Sequence, residues 1–254
     1  MISFTKKLST KFHFLVNNWH ALDIIFQSPC LLCDAITLNK SAICKSCLAD
    51  LEWNVTFCKQ CSLPMNSESC KELICGECLS SPPPFKTCVA PFNYSFPINS
   101  IIYRVKSSGE QYWLKSLGLE FCRYLELYHK DLPQPDFIVP IPLHRDKLKE
   151  RGFNQAESLA VLLGKHQKLA VNTKLIVKSK MSADQKSLNK VQRLINLKGC
   201  FTIDNPQVVK DKHIVLVDDV VTTKATSEIC SQLLLDKGAS RVDIWSLART
   251  PKAS

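Results

Sequence analysis

Four C-x2-C knuckles in series constrain this chain more than any other feature. Cys30 and Cys33, Cys44 and Cys47, Cys58 and Cys61, and Cys75 and Cys78 are separated by gaps of 10, 10 and 13 residues. The two-residue spacer turns both thiolates of a knuckle toward one ion, with backbone N–H groups behind the sulfurs. Two knuckles then complete a tetrahedral zinc site with four cysteine ligands. One knuckle is common by chance; four in series are not. A disulfide scaffold is the competing reading. Residues 1–26, however, carry an interrupted apolar region and no small-residue cleavage site, so nothing points to an oxidising compartment. Iron–sulfur ligation is a further alternative. Eight thiolates shared by two Zn2+ ions leave no open position, so both sites read as structural. Metal binding then supplies folding energy that so short a segment cannot draw from a core. Sequential pairing of the knuckles and a cross-braced pairing of the first with the third both satisfy the spacing. Cys70 is a candidate substitute ligand in the second site. Cys88, Cys122, Cys200 and Cys230 lie in apolar surroundings and read as buried small hydrophobes.

The chain of 254 residues is long enough for one large domain, or for a small one and a medium one. Its net charge of +10 suits polyanionic partners such as nucleic acid or phosphorylated ligands, although scattered lysines give the same total. No apolar run is long enough to cross a membrane, and the expected location is cytoplasmic. Phe12, Leu15, Val16, Trp19, Leu22 and Phe26 form a helical stripe preceded by Lys6, Lys7 and Lys11. Such a helix packs on the protein's own body or, less in keeping with its weakly basic face, lies on a membrane surface.

Three segments follow from the pattern: an amphipathic extension over 1–27, a cysteine-rich double zinc-binding region over 28–80, and an α/β domain over 81–254. The run Ser80-Ser81-Pro82-Pro83-Pro84 is a stiff connector between the last two. Beyond it, the patterning reads as a helix over 112–129, a strand over 137–141, a helix over 154–167 begun by Asn154, and short strands over 175–178 and 201–203. A strand over 213–217, a helix to about Lys237 ended by Gly238, and a strand over 241–247 complete the reading. Strands alternating with helices indicate a mostly parallel sheet.

The run from Ile214 to Thr226, IVLVDDVVTTKAT, carries the functional signal. Apolar, mostly β-branched residues give a buried strand, expected to break at Asp218 and Asp219. Thr222, Thr223 and Thr226 straddle the start of the next helix. A helix N-terminus offers unpaired N–H groups and a positive dipole end to a phosphate, and an acidic pair accepts ribose hydroxyls or holds a divalent metal. Ligands of open α/β sheets sit at the carboxyl ends of strands. A plain strand-to-helix connection, with Asp and Thr as turn and capping residues, is the competing reading. The segment from Pro140 to Gln155 adds a basic loop with Arg145, Lys147, Lys149 and Arg151, which suits a pyrophosphate or a nucleic-acid backbone, or is a solvated charge run.

This run resembles the 5-phosphoribosyl-1-pyrophosphate (PRPP) motif of type I phosphoribosyltransferases, in which a strand and two acids lead into Thr-Gly-x-Thr. Thr223 and Thr226 match; Lys224 stands at the glycine position, where a side chain brings strain and blocks close approach of backbone to phosphate. The Arg151-Gly-Phe-Asn-Gln155 run resembles a signature of the ComF family, whose members join cysteine knuckles to a phosphoribosyltransferase-like domain. Gln185, Leu188, Arg193, Asn196 and Phe201 fit the same pattern, as do Lys106 and Gly109. The resemblance spans roughly residues 28–250. It implies a Rossmann-like type I phosphoribosyltransferase core with a small zinc-binding appendage. It also implies that Asp218 and Asp219 act on the ribose, directly or through Mg2+, and that Thr222, Thr223, Lys224, Ala225 and Thr226 hold the 5′-phosphate. Arg145, Arg151 and Arg193 are implied contacts for pyrophosphate or a polyanion.

Three functions fit. The first is binding of PRPP or a similar ligand, in a protein that handles imported single-stranded DNA during natural transformation, with DNA-uptake or recombination proteins as partners. The chain shows no clear aromatic platform of the kind single-strand binders use. The second is an active phosphoribosyltransferase, favoured by the acidic pair and disfavoured by Lys224. The third is a metabolic accessory protein of the GntX type.

Overall fold

The computed structural model describes residues 28–65, 73–130, 132–179 and 199–252. The amphipathic stripe, Cys70 and Arg193 lie outside the described residues. The chain divides into two compact units, one ending at Asp50 and one beginning at Leu51.

The smaller unit holds strands β1 (Ser28–Pro29) and β2 (Ile36–Thr37), which pair antiparallel, and helix α1 (Lys45–Ala49). Among its described residues the buried apolar side chains are Cys30 and Ile43, and metal ligation supplies folding energy beyond what these two give.

The larger unit runs α2 (Gly76–Ser80), β3 (Cys88–Val89), β4 (Phe92–Asn93), α3 (Ile98–Ser108), α4 (Gln111–Tyr128), β5 (Phe137–Pro140), α5 (Arg145–Arg151), α6 (Gln155–Gln167), β6 (Ala170–Val171), β7 (Ile176–Lys178), β8 (Phe201–Ile203), β9 (His213–Val221), α7 (Ala225–Asp236) and β10 (Arg241–Arg249). Six strands form one parallel sheet. Its order is β3-β10-β9-β5-β6, with β4 also paired to β10. Strands β7 and β8 form a separate antiparallel pair. The α/β class and parallel sheet expected from the alternation are therefore present.

Strand β9 is longer than expected. The acidic pair does not end it, because β10 keeps its ladder alongside as far as Arg249 opposite Val221. Strand β5 leaves earlier, at Pro140 opposite Val217. Helix α3 went unread, although Ile98, Ile101, Ile102 and Val105 bury one side of it. The stripe Trp113, Leu117, Phe121 and Leu125 of α4 is buried as its spacing indicated. Gly118 lets α4 meet α6, since a Cβ there would collide with Leu162 and crowd Leu159. Helix α7 ends as expected at Gly238 (φ 92°), where Ala239 N–H reaches Leu234 O and Gly238 N–H reaches Leu235 O.

The second pair of knuckles belongs to the larger unit. Cys58, Cys61, Cys75 and Cys78 share one core with Phe85, Val139, Leu216, Ile244, Cys230 and Leu234. Polar bonds fasten them there. Asn54 Nδ2 donates to Ser62 O (2.8 Å) and Ala90 O (3.2 Å), and Ser62 Oγ donates to Cys88 O (2.6 Å). Cys88, Cys122, Cys200 and Cys230 are buried, as their apolar surroundings indicated.

Candidate functional site

Beyond Val217, β9 is flanked on one side by β10 and has lost β5 on the other, so Asp218 and Asp219 stand at the carboxyl end of the sheet, where open α/β sheets place their ligands. Asp218 Oδ1 accepts from Asp219 N (2.9 Å), and Asp219 Oδ1 accepts from Val220 N (2.9 Å). From the last turn of α3, Lys106 Nζ reaches Asp219 Oδ2 at 2.6 Å. Burial, and then the charge of Asp219, push the Asp218 carboxyl well above the usual range, against the pull of Lys106. Burial disfavours the Lys106 ammonium, but Asp219 and Asp218 outweigh it and hold that ammonium in its charged form. The Asp218 carboxyl thus favours its protonated form, and one cation already stands beside this half-buried pair. A second cation or a pair of hydroxyl donors would satisfy the acceptors that remain.

The loop after β9 presents hydroxyls. Thr222 is exposed, Thr223 and Thr226 are half-buried, and Ala225 is buried at the first turn of α7. Lys224 takes the left-handed conformation that glycine adopts most easily, with φ 67° and ψ −8°, at the position from which α7 starts. That conformation costs a residue with a Cβ roughly 1–2 kcal/mol. The side chain does not face the threonines' open side. It is 1 % exposed, with Nζ 3.9 Å from Cys78 Sγ, 3.4 Å from Glu77 Oε2 and 3.7 Å from Glu228 Oε1.

Arg249, which the sequence did not single out, is buried and binds four backbone carbonyls. Its Nε donates to Cys61 O (3.0 Å), and its Nη1 donates to Val221 O (2.9 Å), Thr250 O (3.0 Å) and Thr222 O. No local pattern marks it, because Cys61 is 188 residues away in the chain.

The segment expected as a basic loop is the seven-residue helix α5 between His144 and Gly152. Arg145 is exposed there, and half-buried Arg151 donates to Gln155 Oε1 (3.3 Å). Asn154 caps α6 through Ala156 N (3.1 Å), and its Nδ2 holds Ile141 O (3.1 Å). It thereby pins the Arg-Gly-Phe-Asn-Gln run to the end of β5. A cavity of about 560 Å³ lined by Asp136, Phe137, Val171 and Lys212 lies at the opposite ends of the strands, away from the acidic pair.

Both cysteine quartets fit zinc. Zn–S bonds of about 2.3 Å place tetrahedral sulfurs about 3.8 Å apart. Cys33 and Cys44 sulfurs are 3.7 Å apart, as are those of Cys61 and Cys75. Within each quartet every sulfur lies within 4.8 Å of the others. Pairing is sequential: Cys30, Cys33, Cys44 and Cys47 form one site, and Cys58, Cys61, Cys75 and Cys78 the other. The cross-braced alternative falls. Backbone N–H groups back the sulfurs, Cys44 N on Cys30 and Cys75 N on Cys58, both at 3.3 Å. The first site is partly exposed, at Cys33 above all, whereas all four cysteines of the second are buried.

Residues 21–79 match the family model of the double zinc ribbon domain. The chain is 34% identical over 224 residues to the DNA utilization protein YhgH of Salmonella typhi, covering 87% of this chain and 96% of that protein. It is 27% identical to competence protein F of Haemophilus influenzae, covering 88% and 98% of the two chains. It is likewise 27% identical to competence protein ComFC of Bacillus subtilis, covering 89% and 97%. A purine phosphoribosyltransferase from Pyrococcus horikoshii aligns at 19% identity over 56% of this chain and 91% of its own, with a TM-score of 0.34, too low to bear on the fold. Among the described residues no helix is long and apolar enough to cross a membrane.

Proposed function

Because this chain belongs to the ComF family, with the DNA utilization and competence proteins as its relatives, we propose that it binds PRPP or a similar phosphoribosyl ligand and acts in the handling of single-stranded DNA. The observation that carries the ligand half is the juxtaposition at the end of β9. An acidic pair at the point where β5 leaves β9 is followed directly by a left-handed turn, three threonines and the N-terminus of a twelve-residue helix. Asp218 and Asp219 would take the ribose hydroxyls, directly or through Mg2+. The hydroxyls of Thr222, Thr223 and Thr226, with the first N–H groups of α7, would take the 5′-phosphate. Arg145 and Arg151 are the cations on the next strand's exit, suited to a pyrophosphate or a nucleic-acid backbone. The DNA half rests on the relatives' names and on the basic net charge of +10.

PRPP with Mg2+ at about a hundred times its Kd is expected to add about 2.7 kcal/mol, a rise of roughly 5–10 °C in melting temperature. Asp218→Asn with Asp219→Asn should abolish the rise. An unshifted wild type at saturating PRPP removes the ligand reading. Labelled single-stranded DNA should show a gel shift that weakens steeply with salt; the absence of any shift removes the DNA reading. Catalytic transfer is a separate reading that the intact acidic pair favours, and release of pyrophosphate on addition of amine or base acceptors is its test.

A further inference from the structure

We infer that Lys224 is a positioning residue that couples the second zinc site to the loop beside it. Its ammonium is the counter-charge of the second cysteine quartet, and its backbone is the turn from which α7 begins. The inference deepens the proposed function, since the loop it positions is the one assigned to the phosphate.

Four thiolates around Zn2+ carry a net charge of about −2. In the first quartet the exposed Cys33 lets water share in screening that charge. In the second, all four cysteines are buried, and among the described residues Lys224 brings an ammonium to within 3.9 Å of Cys78 Sγ on a side chain 1 % exposed. Glu77, next to Cys78 on α2, and Glu228, one turn into α7, pair with it as well. The ammonium therefore bridges the helix that carries a zinc ligand to the helix that carries the phosphate loop. A buried lysine held at its far end by fixed negative charge can sustain a left-handed backbone that would otherwise relax.

A second link runs parallel to the first. Arg249 joins the carbonyl of Cys61 to those of Val221 and Thr222, on the strand side of the same loop. Two ligands of one quartet, Cys61 and Cys78, are thus each in direct contact with a residue that fixes the loop. Coupling of this kind is reciprocal: the metal favours the loop's geometry, and whatever restrains the loop slows loss of the metal.

The test uses the full-length zinc-loaded protein and an excess of chromophoric chelator, with Cys33→Ser identifying the release phase of the first site. Lys224→Met is expected to speed release from the second site by roughly 10–100-fold. First-site release and deuterium exchange at Ile244–Leu247 should be unchanged, while amides of 222–228 exchange faster. Lys224→Arg should restore slow release. Lys224→Gly, which removes the backbone demand together with the charge, should stay fast. Second-site release that matches wild type in Lys224→Met overturns the inference. So does equal acceleration at both sites with loss of protection in β10, which would mark general destabilisation. None of these readouts needs PRPP, so a failed PRPP shift leaves them standing. PRPP that raises the melting temperature yet leaves second-site release unchanged overturns the coupling and not the binding.

Discussion

Cys61→Ser is expected to unfold the larger unit, and Cys33→Ser to leave it folded. The asymmetry follows from where the two quartets sit. Cys58 and Cys61 are wholly buried, in one core with Phe85, Leu216 and Ile244, so the second metal site is part of the interior of the sheet domain. A structural zinc site of this type contributes about 10–16 kcal/mol of binding free energy, comparable with the whole stability of a domain at about 5–15 kcal/mol. Replacing a thiolate there weakens the site and leaves a hydroxyl and three thiols in an apolar core. Far-UV circular dichroism on heating should show wild type and Cys33→Ser melting within about 3 °C of each other, a shift of about 1 kcal/mol at this size. Cys61→Ser should melt at least 15 °C lower, roughly 5 kcal/mol, or lack the transition. Matching losses in the two variants would mean that the quartets are equivalent, against the division of the chain after Asp50.

The second large effect is expected at Arg249. Its guanidinium serves the carbonyls of Cys61, Val221, Thr222 and Thr250 from a position 3 % exposed. Arg249→Met fills much of the same volume but removes every donor, so buried carbonyls lose their partners at about 1–3 kcal/mol each before relaxation and entry of water reduce the sum. A net loss of about 3–5 kcal/mol is the expected result of losing several hydrogen bonds to one charged group, each contributing about 1.5–3 kcal/mol. Denaturant titration measures it. Proteolysis within 221–226 should rise as well, because two of the four carbonyls belong to that turn. Arg249→Lys should recover part of the loss, since an ammonium donates but lacks the planar fork that spans both sides. A loss under 1 kcal/mol, with the turn still protected, would show that other contacts hold the loop.

What the sequence made legible was local. The knuckle spacing gave the eight zinc ligands, the β-branched run before Asp218 gave the central strand, and the stripe Trp113, Leu117, Phe121 and Leu125 gave a packed helix, because each signal spans few residues. Sequential pairing was one of two arrangements that the spacing allowed, and the 3.7 Å sulfur separations chose it. Two-residue strands such as β3, β4 and β6 were not legible, being too short for any periodicity. Lys224 shows the deeper limit. At the glycine position of a phosphate loop, a lysine reads as strain or as a contact to the ligand. Which way its side chain turns depends on Cys78, 146 residues earlier, and no local pattern carries that information.

The order of the sheet has a consequence for how this chain is made. Strand β10 sits between β3 and β9, so an interior strand of the sheet is the last part of it to be translated. The zinc quartet of residues 58–78 can assemble while the chain is still short. Much of the core it joins, Leu216 and Ile244 included, and the arginine that grips Cys61, arrive only with residues 213–249. Early strands must wait unpaired for a late partner, which makes folding of the larger unit an event that follows synthesis.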